Sequence, residues 1–151
     1  MMTKKLYSMF AMFGLFLALA ASSAQAQPGD LLNVNVPFDF QIGSKTLPAG
    51  EYTVKRLSQS TLLFRSADGT ESAIAQAMEN LQAGWSEKEA KERLVFHQYG
   101  GQYYLAQVWM TRDGDGRALK RSKEERRAAE EQNLAAGGKK LRKVEVAAHA
   151  R

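Results

Sequence analysis

The feature that most constrains this fold is a two-residue alternation of apolar and polar side chains, repeated in short segments between turn signals. In the first segment every even-numbered residue from Val34 to Ile42 is apolar, and the residues between them are polar or proline. Successive side chains of a strand point to opposite faces, so this period predicts a strand over 33–42 with one buried face. Pro37 cannot donate to a ladder, which indicates an edge position or a bulge at that point.

Six further segments have the composition of strands and lie between turn residues. They cover residues 51–57, 61–66, 70–78, 93–99, 102–110 and 141–148. Asp68-Gly69 and Gly100-Gly101 predict tight hairpins. Residues 79–92 are polar and charged, which predicts a loop with one helical turn.

The strand predicted over 102–110 is bulky on both of its faces. Strict alternation places one set of large side chains on one face and a second set on the other: Tyr103, Leu105 and Trp109 against Tyr104, Ala106, Val108 and Met110. Such a strand is normally covered on both sides.

One helix is predicted near the end of the chain. Ser122 and Glu125 have the spacing of a capping box in front of a helix over 123–134, and Gly137-Gly138 would end it. The sequence therefore predicts an all-β, single-domain antiparallel β-sandwich or small barrel of about seven or eight strands with one C-terminal α-helix.

The first 26 residues have the pattern of a secretory signal peptide. Lys4 and Lys5 precede an apolar run, and Ala24-Gln25-Ala26 offers a cleavage site. The run is shorter than the roughly 20 residues of a transmembrane helix. We therefore expect an exported protein, periplasmic or extracellular, without a transmembrane span after cleavage.

The chain contains no cysteine, so its core must stabilise it without disulfides. We divide it into a signal peptide (1–26), a β domain (27–116) and a basic helix with the final strand (117–151), packed on the same domain.

The net charge of +5 is distributed unevenly. Residues 117–151 carry eleven basic and five acidic side chains, whereas residues 27–116 carry eight and eleven. For an exported protein this favours an anionic envelope polymer or a membrane surface over nucleic acid as the partner. The candidate contacts are Arg117, Lys120, Arg121, Lys123, Arg126, Arg127, Lys139, Lys140, Arg142 and Lys143. The alternative is a solvated basic tail without a partner.

A group of aromatic residues is the second candidate binding feature. It comprises Tyr52, Phe96, Tyr103, Tyr104 and Trp109. Such rings form cores and cross-strand pairs, or they line a ligand pocket or a sugar-stacking platform.

Catalytic and metal-binding patterns are weak. The only histidines are His97 and His149, and no nucleophile elbow or zinc-protease motif is present. The run that begins at Asp113 fails as a calcium loop, because Arg117 stands at the fifth place and Ala118 at the sixth. A carboxylate hydrolase would have to use Asp39, Glu51 or Asp113. We expect no enzyme, no cofactor and no metal.

Several segments together resemble an uncharacterised family of small exported proteins from acidobacterial-type soil bacteria. They are Val36-Pro37-Phe38-Asp39-Phe40, Leu47-Pro48-Ala49-Gly50-Glu51-Tyr52, Leu94-Val95-Phe96-His97, Val108-Trp109 and Arg121-Ser122-Lys123. The resemblance implies a secreted β domain and no catalytic residues. The second segment also resembles a turn of prealbumin-like sandwich domains.

These observations predict an exported, non-enzymatic binding or interaction module of the cell envelope. The alternatives are a small-ligand carrier with an apolar barrel interior and a carboxylate-based hydrolase.

Overall fold

The computed structural model describes residues 31–82, 91–110, 115–136 and 141–150, so the predicted signal peptide lies outside it. Within these ranges the chain forms ten strands and one helix. They are β1 (Leu31–Val36), β2 (Phe40–Ile42), β3 (Lys45–Leu47), β4 (Gly50–Arg56), β5 (Thr61–Ser66), β6 (Ser72–Gln82), β7 (Arg93–Tyr99), β8 (Gln102–Trp109), β9 (Asp115–Leu119), α1 (Lys123–Ala136) and β10 (Arg142–Ala150). In this part of the chain, no helix has the length and apolarity needed to cross a bilayer.

Eight of the strands close into an antiparallel barrel in the order β8-β7-β10-β1-β4-β5-β6-β9, with β9 pairing back onto β8. The prediction of an all-β small barrel with one C-terminal helix is confirmed. The last strand is part of the wall, because β10 pairs with β1 on one side and with β7 on the other. Closure leaves these strands without the free edges that promote aggregation.

The single strand predicted over 33–42 is wrong, because the chain breaks at Pro37. The β1–β4 ladder ends at Val36. The chain then rejoins the sheet as β2, which pairs in parallel with the first half of β8. Proline has no N–H to continue the first ladder. Asp39 then fixes the new direction, since its carboxylate accepts a hydrogen bond of 2.8 Å from the Ala49 N–H.

The β2–β3 hairpin spans from β8 to β6 beside β9. β2 and β9 use different halves of the same β8 edge. At the other side of the hairpin, the Lys45 ammonium donates to the Ser72 carbonyl at 2.8 Å and pairs with Glu71 at 2.9 Å. This contact ties β3 to β6.

Inward side chains from the barrel strands and from the β2–β3 hairpin fill the interior. The largest fully buried ones are Phe40, Phe64, Phe96, Leu32, Leu47, Leu62, Leu94, Val36, Val54, Val95 and Val108, all of which except Val95 belong to this core. Phe40 makes edge-on ring contacts with Tyr52 at 5.3 Å and with Phe96 at 5.4 Å. The core therefore stabilises the domain through dense aromatic and aliphatic packing.

A bulge in β8 changes which side chains face the core. Val95 lies opposite Gln107 but Phe96 lies opposite Leu105, so Ala106 is an extra residue. The predicted grouping of the β8 faces is therefore wrong, because one inserted residue inverts the alternation beyond it. Core-facing residues are Tyr103, Leu105, Val108 and Met110, and the outer face carries Tyr104, Ala106 and Trp109.

Packing on the outer face next to the β8 bulge requires a glycine at position 116. Trp109 lies opposite Gly116 of β9, and a Cβ on that glycine would stand 2.8 Å from the indole ring. The Arg93 guanidinium covers the same ring at 4.5 Å from its centroid.

The loop predicted over 79–92 is wrong in its first part, because β6 continues to Gln82 and pairs with β9 there. Residues 83–90 lie outside the described residues.

Candidate functional site

Helix α1 is attached to the outer face of β7 by a buried polar contact. The Nδ1 of His97 lies 2.7 Å from Oε1 of Glu125, and the two side chains are only 11% and 4% exposed. The Ser122 hydroxyl accepts a hydrogen bond of 3.0 Å from the Glu125 N–H, which confirms the predicted N-cap. The Glu125 carboxylate, however, contacts His97 and Arg121 (3.6 Å), so the second half of the predicted capping box serves to dock the helix.

Two buried phenols lie near this contact. Burial raises the pKa of Tyr99 and of Tyr104. The nearby Glu125 carboxylate raises the pKa of Tyr104 further, whereas at Tyr99 the Arg121 guanidinium lowers the pKa and Glu125 raises it, with burial the largest effect. The Tyr104 hydroxyl donates to Oε1 of Gln102 at 2.7 Å. The layer between α1 and the barrel therefore consists of two protonated tyrosine side chains packed around the His97–Glu125 contact.

An open groove of about 820 Å³ lies between the second half of α1 and the β7–β8 turn. We call it the helix–hairpin groove. The turn contributes residues 98–102, α1 contributes Ala128, Glu131, Gln132 and Ala135, and the start of β10 contributes Leu141 and Arg142. Gly100 and Gly101 have positive φ values of 55° and 91°, which permit the tight turn at its rim.

Two polar groups along the groove lack partners within the described residues. The hydroxyl of Tyr99 and the amide of Gln132 form no hydrogen bond with a residue of the described chain, so they are available to a ligand. Gln98 also borders the groove, but its side chain lies on the other face of β7: it stands opposite the core-facing Tyr103, and its Nε2 donates to the Tyr103 hydroxyl at 3.1 Å.

The five aromatic residues predicted as a ligand surface lie on opposite sides of the barrel wall. Tyr52 and Phe96 are buried inside the core, and the half-buried Tyr103 stacks on Phe38 with ring centroids 3.8 Å apart. Tyr104 and Trp109 are buried on the outer face. The fold does not bring these five rings together on one exposed surface.

The predicted basic contacts are exposed with one exception among those described. Exposed members are Lys120, Arg121, Lys123, Arg126, Arg127, Arg142 and Lys143. Arg117 lies opposite the inward Val108 and is 9% exposed, so it is not part of this surface. Lys139 and Lys140 lie outside the described residues.

Helix α1 is itself not basic. Its three basic side chains are interleaved with four acidic ones, and Arg127 pairs with Glu131 at 2.9 Å. The excess of positive charge comes from residues on either side of the helix.

The carboxylates proposed for a hydrolase do not form an evident catalytic pair. Asp39 holds the Ala49 turn, Glu51 is exposed beside a small cleft of about 230 Å³, and Asp113 lies outside the described residues. In that cleft, hydrogen bonds from Ser66 and Thr70 lower the pKa of Asp68 and hold it as an anion. A general acid requires the opposite shift.

Metal ligation is likewise unsupported where the chain is described, since no group of three His, Asp or Glu side chains there could hold an ion.

Sequence reasoning missed the docking role of Glu125, because its position is also that of a capping-box residue. It also missed the groove, which forms only when α1 is placed beside a distant hairpin.

No family model, no curated protein and no solved structure matches this chain.

Proposed function

We propose that this protein is an exported, non-enzymatic binding module of the cell envelope that associates with an anionic surface through exposed basic side chains around α1. The supporting observation is that five of these side chains form no ion pair with a described residue. They are Lys120, Lys123, Arg126, Arg142 and Lys143. Location in the envelope depends on the predicted signal peptide.

The expected strength follows from the charges. A basic side chain close to an anionic lipid surface contributes about 1 kcal/mol, and the attraction is screened within a Debye length of about 8 Å at physiological salt. Two such side chains, Lys120 and Lys123, therefore contribute about 2 kcal/mol, or roughly 30-fold in affinity.

Deleting the basic segment 117–151 is an unsuitable test, because it would remove β10 and most of β9 from the barrel wall. The double variant Lys120→Gln/Lys123→Gln removes the same kind of charge without touching a strand. Its matched control is Lys55→Gln/Arg65→Gln, which removes two exposed basic side chains from β4 and β5.

The assay is co-sedimentation of the purified protein with phosphatidylglycerol vesicles, in parallel with binding to soluble heparin, which separates a membrane from a polymer. We expect binding that weakens as salt is raised, a loss of roughly 30-fold in the Lys120/Lys123 variant and a loss of less than about threefold in the control. Binding that is independent of salt, or equal losses in both variants, would contradict the proposal.

The filled interior does not favour a small-ligand carrier. Such a carrier needs a cavity inside the barrel, and the space between the strands is occupied by side chains such as Phe40, Phe64 and Phe96, each less than 2% exposed. The two cavities described above are bordered by loops, the helix and strand ends.

A further inference from the structure

The helix–hairpin groove has the dimensions of a ligand site, and of the five basic side chains used above it is bordered only by Arg142. Its volume of about 820 Å³ lies within the range of about 300–1,000 Å³ found for ligand pockets. One side is the β7–β8 turn, which the paired strands hold rigidly, and the other is a helix fixed by the His97–Glu125 contact.

The lining offers neutral hydrogen-bonding groups. Two glutamine side chains on the α1 side of the barrel wall border the groove, from Gln102 and Gln132. Gln102 uses only its oxygen, for Tyr104. Each amide presents both a donor and an acceptor, which matches the dual character of a hydroxyl group.

The remaining lining is small or amphipathic. Ala128, Ala135 and the two turn glycines leave a wide, shallow surface, and Tyr99 adds an aromatic ring with a free hydroxyl. Burial raises the pKa of Tyr99, so this hydroxyl stays protonated and can donate. Glu131 and Arg142 add one charge of each sign, so the lining favours neither a polyanion nor a polycation.

A peptide ligand fits these features poorly. Strand addition needs a free sheet edge, and both edges of β7 are paired, with β8 and β10. An amphipathic helix needs apolar pockets for its anchors, whereas the apolar lining here is mainly alanine.

We propose that the helix–hairpin groove binds a segment of an oligosaccharide chain, held by the amides of Gln102 and Gln132 and by the Tyr99 ring and hydroxyl. A site built to bond hydroxyl groups gains its selectivity from polar groups that are otherwise unpaired. The proposal does not depend on the anionic surface, because none of these contacts requires a net charge.

Cellotetraose and chitotetraose are the probes, each titrated to about 10 mM into the isotope-labelled protein while amide shifts are recorded. At least one tetramer should shift amides of residues 98–102 and 128–135, with an affinity unchanged by added salt. Ala135→Trp should weaken binding by about tenfold or more by filling the groove, and Asn133→Trp, an exposed helix position outside the groove lining, should change it by less than about twofold.

Absence of binding by both tetramers, shifts confined to other surfaces, or equal affinity of the Ala135→Trp and wild-type proteins would overturn the proposal. Failure here and failure of the anionic-surface proposal are distinguishable. Sugar binding is insensitive to salt and to Lys120→Gln/Lys123→Gln, whereas vesicle binding is insensitive to Ala135→Trp.

Discussion

Removing the Glu125 carboxylate is expected to release α1 from the barrel while the barrel stays folded. In Glu125→Ala the helix keeps its cap, because Ser122 bonds the backbone N–H of residue 125. It loses the 2.7 Å contact with His97, and the buried imidazole is left without its partner. A hydrogen bond to a charged group contributes about 1.5–3 kcal/mol, so we expect a loss of about 2 kcal/mol from helix docking.

That loss is large relative to what else holds the helix. An isolated helix of 14 residues is marginal in water, and the inner face of α1 offers small apolar side chains such as Ala128 and Ala129. We therefore expect hydrogen-exchange protection of residues 126–134 to fall by about 30-fold, the factor that corresponds to 2 kcal/mol. Protection in β1 and β4 should not change.

The control is Glu130→Ala, which removes an exposed carboxylate from the same helix. It should change protection of α1 by less than about twofold. If both variants lose protection equally, the His97–Glu125 contact is not what docks the helix. If Glu125→Ala also exposes β1 and β4, the helix and barrel are one cooperative unit and the reasoning fails.

Three other perturbations have definite expectations. Gly116→Ala should destabilise the protein by about 1–3 kcal/mol in urea unfolding, because its Cβ would stand 2.8 Å from the Trp109 ring; an unchanged midpoint would show that the indole moves freely. Phe64→Ala, at a position with no exposure, should cost about 3–5 kcal/mol, and a loss below about 1 kcal/mol would argue against a tightly packed interior. Burial raises the pKa of Tyr52, Tyr99 and Tyr104 in the folded state, so the unfolded chain ionises first: the stability that these phenols contribute should be constant below about pH 10 and be lost above it, less steeply in Tyr104→Phe, and an unfolding midpoint that does not fall as the pH is raised from about 9 to 11 would contradict this.

The sequence was sufficient for most of the strand segments and for the helix, because these depend on local alternation and capping, but it did not predict β9 or the part of β6 beyond Met78. It was insufficient where a single residue changes the register. Pro37 divides one predicted strand into β1 and β2, and Ala106 reverses the faces of β8 beyond it. Pro37 indicates an irregularity from the sequence alone, but nothing in the composition of residues 102–110 marks Ala106 as an inserted residue, so a periodicity argument does not detect the bulge.

The candidate site was less predictable because it depends on long-range placement. Arg117 belongs to the basic segment by composition, yet pairing with β8 turns it toward the barrel interior. Glu125 reads as a capping residue, and only the position of β7 beside α1 makes it the partner of His97. Closure of the barrel by β10 decides which basic side chains lie outside.

The central claim is that the barrel is a filled scaffold and that its exterior around α1 binds an anionic surface. Hydrogen–deuterium exchange of the protein with and without phosphatidylglycerol vesicles tests this claim most directly. The account predicts added protection at residues 120–127 and 142–143, with no change at the inward positions of β1, β4 and β5. Protection that appears instead in those three strands, with none around α1, would contradict it.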